Sequence, residues 1–436
     1  MKYLIQPSKI YIQEHIVSVG SLIIVLFALI FAPIPVYAES IQLIPTASDQ
    51  NRSLGEYLSR VGNCMGCHTA KGGVSFAGGK KMYTSFGVFI TPNITPDKKT
   101  GIGYWSKEDF WGALHRGESP DGRMLYPSFP YTEYTKVTRK DTDAIFDYLM
   151  SLEPVSKDNP SSKIFFPYNL KPLLYFWRKL YFKEGIFNPD NSKSKEWNRG
   201  AYLVQGLGHC SACHSSRNFL GASQEEKFIG KKMTGVSWYA PSLTSRLEAG
   251  SGELEINEIT ELLTSGITKN AVASGHMATV IRQSLQFVLP EDIRAIAIYL
   301  KSIGKENSDV ASAESFPILS KNIRSRLAQG GKLYTKYCED CHQSSGRGVP
   351  GVYPSLAGNR SVTMASPLNT ILSVMKGGFP PSTAGNPRPY GMPPFQQIFH
   401  DEEMALVVSY IRNAWGNHSS LVTEIDIERS RGSSRD

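Results

Sequence analysis

The chain has 436 residues, of which 41% are hydrophobic and 20% charged, with a formal charge of +8 and a pI near 9.0. That basic excess does not make nucleic acid an expected partner, because no basic cluster with interleaved aromatics forms a strand-binding surface. Exposed basic residues would instead favour anionic lipid or the acidic face of another protein.

The first element is a leader. Lys2 and Lys9 precede the apolar run VGSLIIVLFALIFAPIPVYA, which ends in Val36-Tyr37-Ala38. Small residues at the end of such a run mark a signal peptide over 1–38, cleaved before Glu39. A retained anchor is the competing reading, but the uninterrupted stretch from Ser21 to Ala32 is shorter than the roughly 20 residues a span requires. Export across a membrane is therefore expected.

Three related segments follow. Each opens with a short helix entering a cysteine pair: GEYLSRVGNC (55–64), GAYLVQGLGHC (200–210) and GGKLYTKYC (330–338). Each ends in an amphipathic helix that starts with acids: DTDAIFDYLMSL (141–152), EDIRAIAIYLKSI (291–303) and DEEMALVVSYIRNAW (401–415). Acids suit a helix N-terminus, and apolar residues then recur at helical spacing. A repeat longer than 100 residues means tandem domains, placed at 45–155, 190–305 and 318–418, with linkers at 156–189 and 306–317. The last stretch, 419–436, reads as a polar tail, with IDIERSRGSSRD (425–436) expected to be disordered.

The chemistry lies in CMGCH (64–68), CSACH (210–214) and the third pair, Cys338 and Cys341 before His342. All six cysteines fall in these pairs, Cys64/Cys67, Cys210/Cys213 and Cys338/Cys341, and His68, His214 and His342 follow them. Zinc would need further ligands at each pair, and disulfides would leave the histidines unexplained. Two thioethers and an iron-ligating histidine account for every residue, so three covalently bound haem c groups are expected. Their propionates would offset most of the basic excess. The fold class is then mainly α: three tandem class I cytochrome c domains, in which haem supplies much of each small core.

Each iron has a candidate sixth ligand. Met277 in SGHMATVI lies 63 residues after His214, and Met392 in YGMPPF lies 50 after His342. Both read as loop residues before the closing helix. In the first segment Met124, 56 residues after His68, falls between these spacings, with His115 as the competing ligand. Thioether ligation raises the potential and leaves no open iron position, which favours electron transfer over peroxidase-like chemistry. His209 and His276 are expected to satisfy backbone or propionate groups.

Four stretches carry a resemblance: ITPNITPDKKTGIGYWSKEDF (90–110), GRMLYPSFPYTEYTKVT (122–138), FFPYNLKPLLYFWRKLYF (165–182) and EWNRGAYLVQGLGHCSACHSSRNFLGA (196–222). From about residue 50 to 416 the chain resembles the tri-haem cytochrome c subunits of membrane-bound periplasmic dehydrogenases acting on alcohol, gluconate, fructose or sorbitol. The resemblance implies electrons received from a flavin- or PQQ-dependent dehydrogenase subunit and passed to ubiquinone. An independent respiratory carrier, or a haem enzyme with one open iron, is the alternative. The family often reads Tyr-Pro-Ala-Met-Pro-Tyr where this chain has Tyr126-Pro127-Ser128-Phe129-Pro130-Tyr131, so its usual first methionine is replaced by Phe129. Between the first two segments, residues 163–187 mix aromatics with Lys163, Lys171, Arg178, Lys179 and Lys183. This composition suits either the membrane surface or a packed linker.

Overall fold

A computed structural model describes residues 47–224, 227–233, 235, 237–306 and 320–432. The expected leader at 1–38 and nearly all of the expected linker at 306–317 lie outside the described residues. The fold is mainly α. The first unit contains α1 (Ala47–Val61), α2 (Lys107–Trp111), which runs into a π-turn at Gly112–Arg116, and α3 (Arg139–Met150). After α4 (Lys171–Tyr181), the second unit contains α5 (Lys195–Tyr202) with a π-turn at Leu203–Leu207, α6 (Ile256–Ser265), α7 (Gly275–Gln283) and α8 (Pro290–Glu306). The third contains α9 (Lys321–Tyr337), α10 (Leu368–Lys376), α11 (Asp401–Ile411) and α12 (Glu424–Gly432).

One packing device recurs. The entering helix of each unit crosses its closing helix: α1 on α3, α5 on α8 and α9 on α11. At each crossing a glycine faces a backbone carbonyl. A Cβ on Gly55, Gly200 or Gly330 would run into the carbonyl of Ala144, Ala295 or Leu406, and Tyr148, Tyr299 and Tyr410 close in from one turn further on. Only a residue without a side chain lets two helices touch backbone to backbone.

The first two units share one contiguous hydrophobic core, while the third builds its own around Tyr334, Ile371, Met404 and Val408. The shared core is clasped reciprocally. Tyr57 Oη donates to Asp292 at 2.5 Å, and Tyr202 Oη donates to Asp141 at 2.5 Å. Each tyrosine lies two residues past its crossing glycine, and each aspartate three before the facing alanine, so the two units are related by a pseudo-twofold axis. The third unit has Lys332 and Glu403 at these positions and makes no such clasp. It joins the second unit elsewhere, through Asn369 paired with both backbone groups of Tyr239 (2.9 and 2.8 Å) and Arg360 bound to Glu253 (3.0 Å).

Two expectations are corrected. The segment 156–189 is more than a linker: Lys163–Ile164 adds a third antiparallel strand beside Gly87–Ile90 of the first unit. Its α4 buries Leu174 and bonds Trp177 Nε1 to the Leu220 carbonyl at 2.9 Å, while Leu173, Phe176 and Leu180 stay exposed. The stretch 425–436 is not disordered over its described part, because α12 docks on the third unit with Ile427 fully buried and Arg431 bound to Asp401 at 2.6 Å. Of its two isoleucines only Ile427 is buried, too sparse a stripe to register as an amphipathic pattern, yet with that ion pair it helps to seat the helix.

Candidate functional site

Each cysteine pair sits on a single helical turn at the end of the entering helix, with its histidine at or just past the last residue of that turn. The same hydrogen bonds then recur around all three histidines. His68 Nδ1 meets the Pro92 carbonyl at 2.8 Å, His214 Nδ1 the Pro241 carbonyl at 2.7 Å, and His342 Nδ1 the Pro354 carbonyl at 3.0 Å. A carbonyl only accepts, so Nδ1 carries the proton and Nε2 keeps its lone pair for a metal. Burial pushes the pKa of all three imidazoles down, which favours the neutral, ligating form.

A glycine secures each proline strand. Gly78, Gly230 and Gly348 donate their N–H to the carbonyls of His68, His214 and His342 at 2.7, 2.8 and 3.0 Å. All three have positive φ, and a Cβ there would strike the backbone at Pro92, Pro241 or Pro354. Sequence reasoning misses both the prolines and these glycines. The signal is present as PNIT (92–95), PSLT (241–244) and PSLA (354–357), but its distance from the histidine varies from 24 to 27 to 12 residues.

The residues fit covalent haem. The six thiols are unbridged, and burial pushes Cys64 and Cys210 up to about 12 and Cys338 to about 11, which disfavours free thiolates there. Among the described residues no three His, Cys, Asp or Glu side chains gather as a metal site, so zinc finds no ligand set. Lys80 Nζ donates to the Gly66 carbonyl (2.6 Å) and Lys231 Nζ to the Ala212 carbonyl (2.9 Å), placing one ammonium against each of the first two motifs.

The methionines differ in setting. Met392 bridges Gly378 in antiparallel fashion and packs on the third core. Met124 forms the same kind of bridge with Glu118, and both bridges begin one residue past a left-handed glycine, Gly117 or Gly377. Met277 is not in a loop; it lies in the first turn of α7, because SGHMATVIRQ continues helically from Ser274. Phe129 packs on the first core with its ring 5.4 Å from Tyr134, which is buried beside Cys64 and Cys67. His115 has both ring nitrogens engaged, Nε2 with Glu184 at 3.2 Å and Nδ1 with Thr135 at 3.5 Å, and it stacks on Trp111. His209 bonds the Gly62 carbonyl at 3.3 Å, as expected of a backbone-satisfying residue, and His276 is exposed.

The comparisons agree with this chemistry. The Cytochrome c family pattern matches residues 53–153 and 327–415. The chain is 34% identical over 402 residues to an alcohol dehydrogenase (quinone) cytochrome c subunit of Gluconobacter oxydans, covering 88% of this chain and 84% of that one. It is 34% identical over 401 residues to a gluconate 2-dehydrogenase cytochrome c subunit of Pantoea cypripedii, covering 88% and 90%. It is also 38% identical over 383 residues to one of the subunits of nicotinate dehydrogenase from Pseudomonas putida, where the match takes in 85% of this chain but only 31% of that longer protein.

Proposed function

This chain belongs to the family of cytochrome c subunits of alcohol, fructose and gluconate dehydrogenases, and from that premise we propose that it is a three-haem electron carrier of the periplasm. It takes electrons from a flavin- or PQQ-dependent dehydrogenase subunit and passes them to ubiquinone at the cytoplasmic membrane. The observation that carries this reading is the threefold repetition of one site: a CxxCH turn, a histidine held through Nδ1 by a proline carbonyl, and a left-handed glycine bracing that proline.

Haem bound at these sites would supply a one-electron iron couple. Cys64/Cys67, Cys210/Cys213 and Cys338/Cys341 would attach it, and His68 with Met124, His214 with Met277 and His342 with Met392 would be its iron-ligating residues. The like setting of Met124 and Met392, each in an antiparallel bridge beginning one residue past a left-handed glycine, supports Met124, and the engaged nitrogens of His115 weigh against that histidine as the ligand. Intact mass spectrometry of the exported protein tests the reading: three haem additions on a chain starting at Glu39 are expected, and fewer would overturn it. On the same sample, Met124→Leu should remove about one third of the ferric thioether-to-iron band, because three Met-ligated haems contribute similarly. An unchanged band would make Met124 a loop residue.

For the membrane contact we assign the outer face of α4 together with Phe166, which precedes it. Among the described residues no helix is long and apolar enough to cross a membrane. Phe166, Leu173, Phe176 and Leu180 are exposed, Phe166 by 78% and Leu180 by 72%, with Lys171 beside them also exposed. Exposed rings with cations alongside suit an anionic headgroup layer. Changing these four residues to Ser should release the holoprotein from anionic vesicles, with α4 still held on its inner face by Leu174 and Trp177. Undiminished binding would remove α4 from this role.

A further inference from the structure

Glu133 is a carboxylate buried at the seam between the first two units, only 5% exposed. It accepts from Ser211 Oγ at 3.1 Å and from Thr132 Oγ1 at 2.5 Å. Ser211 lies inside the second motif, between Cys210 and Cys213, so a side chain of the first unit is tied to the second unit's site. The pseudo-twofold relation makes the reverse contact visible. Glu133 and Ser284 each stand six residues before their closing helix, and Ser284 Oγ reaches the Val61 carbonyl beside the first site at 3.3 Å. One crossing therefore carries a carboxylate and the other a neutral hydroxyl. Lys80 and Lys231 are matched across the axis, each on its own motif, and do not break this symmetry. Lys136, Lys231 and His209 also feel the Glu133 charge, and Lys136 is itself held by Gln205 at 2.8 Å across the seam.

We propose that Glu133 tunes the second haem: its buried negative charge favours the ferric state there and holds that haem's potential below the value the same site would have without it. The inference rests on the three-haem reading. A charge in a site closed to water acts over a longer range than one at the surface, because little solvent screens it. The third unit has its own core and meets the second through Asn369 and Arg360, away from this seam, so its haem lies outside the effect. Glu133 is thus a positioning residue acting through the electrostatics of the seam, and Ser211 is the hydroxyl that aims it.

The test is a spectroelectrochemical titration of the full holoprotein, begun only once mass spectrometry has counted three haems. Glu133→Gln should make one or two of the three components easier to reduce, shifting their equilibrium with an unmoved component by about fivefold. Glu133→Asp keeps the charge and should stay close to the wild type. The proposal is overturned if no component moves, if all three move together, or if Asp moves them as far as Gln does. Should Glu133→Gln fail to accumulate with three haems, Ser211→Ala carries the test: it frees the carboxylate from the second motif and should shift the same component the same way by less. No shift in that variant also overturns it. A wild type with fewer than three haems would instead overturn the reading beneath it, before any titration.

Discussion

Gly200→Ala should lower the thermal midpoint of the holoprotein by roughly 6–12 °C, whereas Gly206→Ala on the same chain segment should leave it unchanged or raise it. Both changes add one methyl group and both gain up to about 1 kcal/mol of helix propensity over glycine. The difference lies in what the methyl meets. At Gly200 it runs into the Ala295 carbonyl at the α5–α8 crossing, with the Tyr299 Cβ at 3.0 Å, so two backbones must separate. Overpacking of that kind costs about 3 kcal/mol, at the upper end for added methyl groups, because a backbone cannot rotate away as a side chain can. At Gly206 the nearest atom is the Lys136 Cβ at 3.5 Å, an ordinary contact. Since the first two units share one core, both should melt together in Gly200→Ala. Calorimetry showing equal midpoints for the two variants would refute the crossing as a backbone-limited contact.

Removing the Asp292 carboxylate should be the next most damaging change. Asp292 accepts from Tyr57 Oη at 2.5 Å and from Arg199 Nε and Nη2 at 2.8 and 2.7 Å, with its own side chain 8% exposed. Asp292→Ala strands two donors, but Arg199 is 37% exposed and regains water. The expected loss is therefore about 2–3 kcal/mol, below the range for a fully buried pair. The pH dependence identifies the cause. Burial works against the charged carboxyl, but the hydrogen bonds from Arg199 and Tyr57 outweigh it and hold its pKa below the ordinary value. A depressed carboxyl stabilises the fold above its unfolded pKa, about 3.9, and loses that contribution as the pH falls through the folded value. The stability gap between wild type and Asp292→Asn, measured by denaturant titration, should be constant from about pH 5 to 7 and narrow below about pH 4. A gap that persists undiminished at about pH 3 would mean that the charge is not what Asp292 contributes.

The two variants probe different layers of information. The crossing glycines stand in the entering-helix segments that the sequence marks, and the acid-led closing helices are found as α3, α8 and α11. Helical periodicity says which face of a helix is buried, and it says so locally. It does not say what covers that face. Leu173 and Leu180 share a helical face with Leu174 on paper, yet Leu174 is buried and the other two are open. Val422 and Ile427, with the Arg431–Asp401 ion pair, dock the polar C-terminal stretch, and no periodic pattern marks so few residues.

By itself the sequence determined the chemistry that covalent spacing enforces: three CxxCH turns, their histidines, and the two helices bracketing each. Those follow from neighbours a few residues apart, where chain geometry leaves few alternatives. Only the tertiary structure decided how the units meet. Tyr57 finds Asp292 across 235 residues and Ser211 finds Glu133 across 78, and it is the docking of two whole units that brings them together. The proline carbonyls behind His68, His214 and His342 belong to the same class, since a loop of 12 or 27 residues can return to one point and its length does not reveal that it does. The prolines recur in the sequence as PNIT, PSLT and PSLA, but their varying distance from the histidine hides the pairing until the chain is folded.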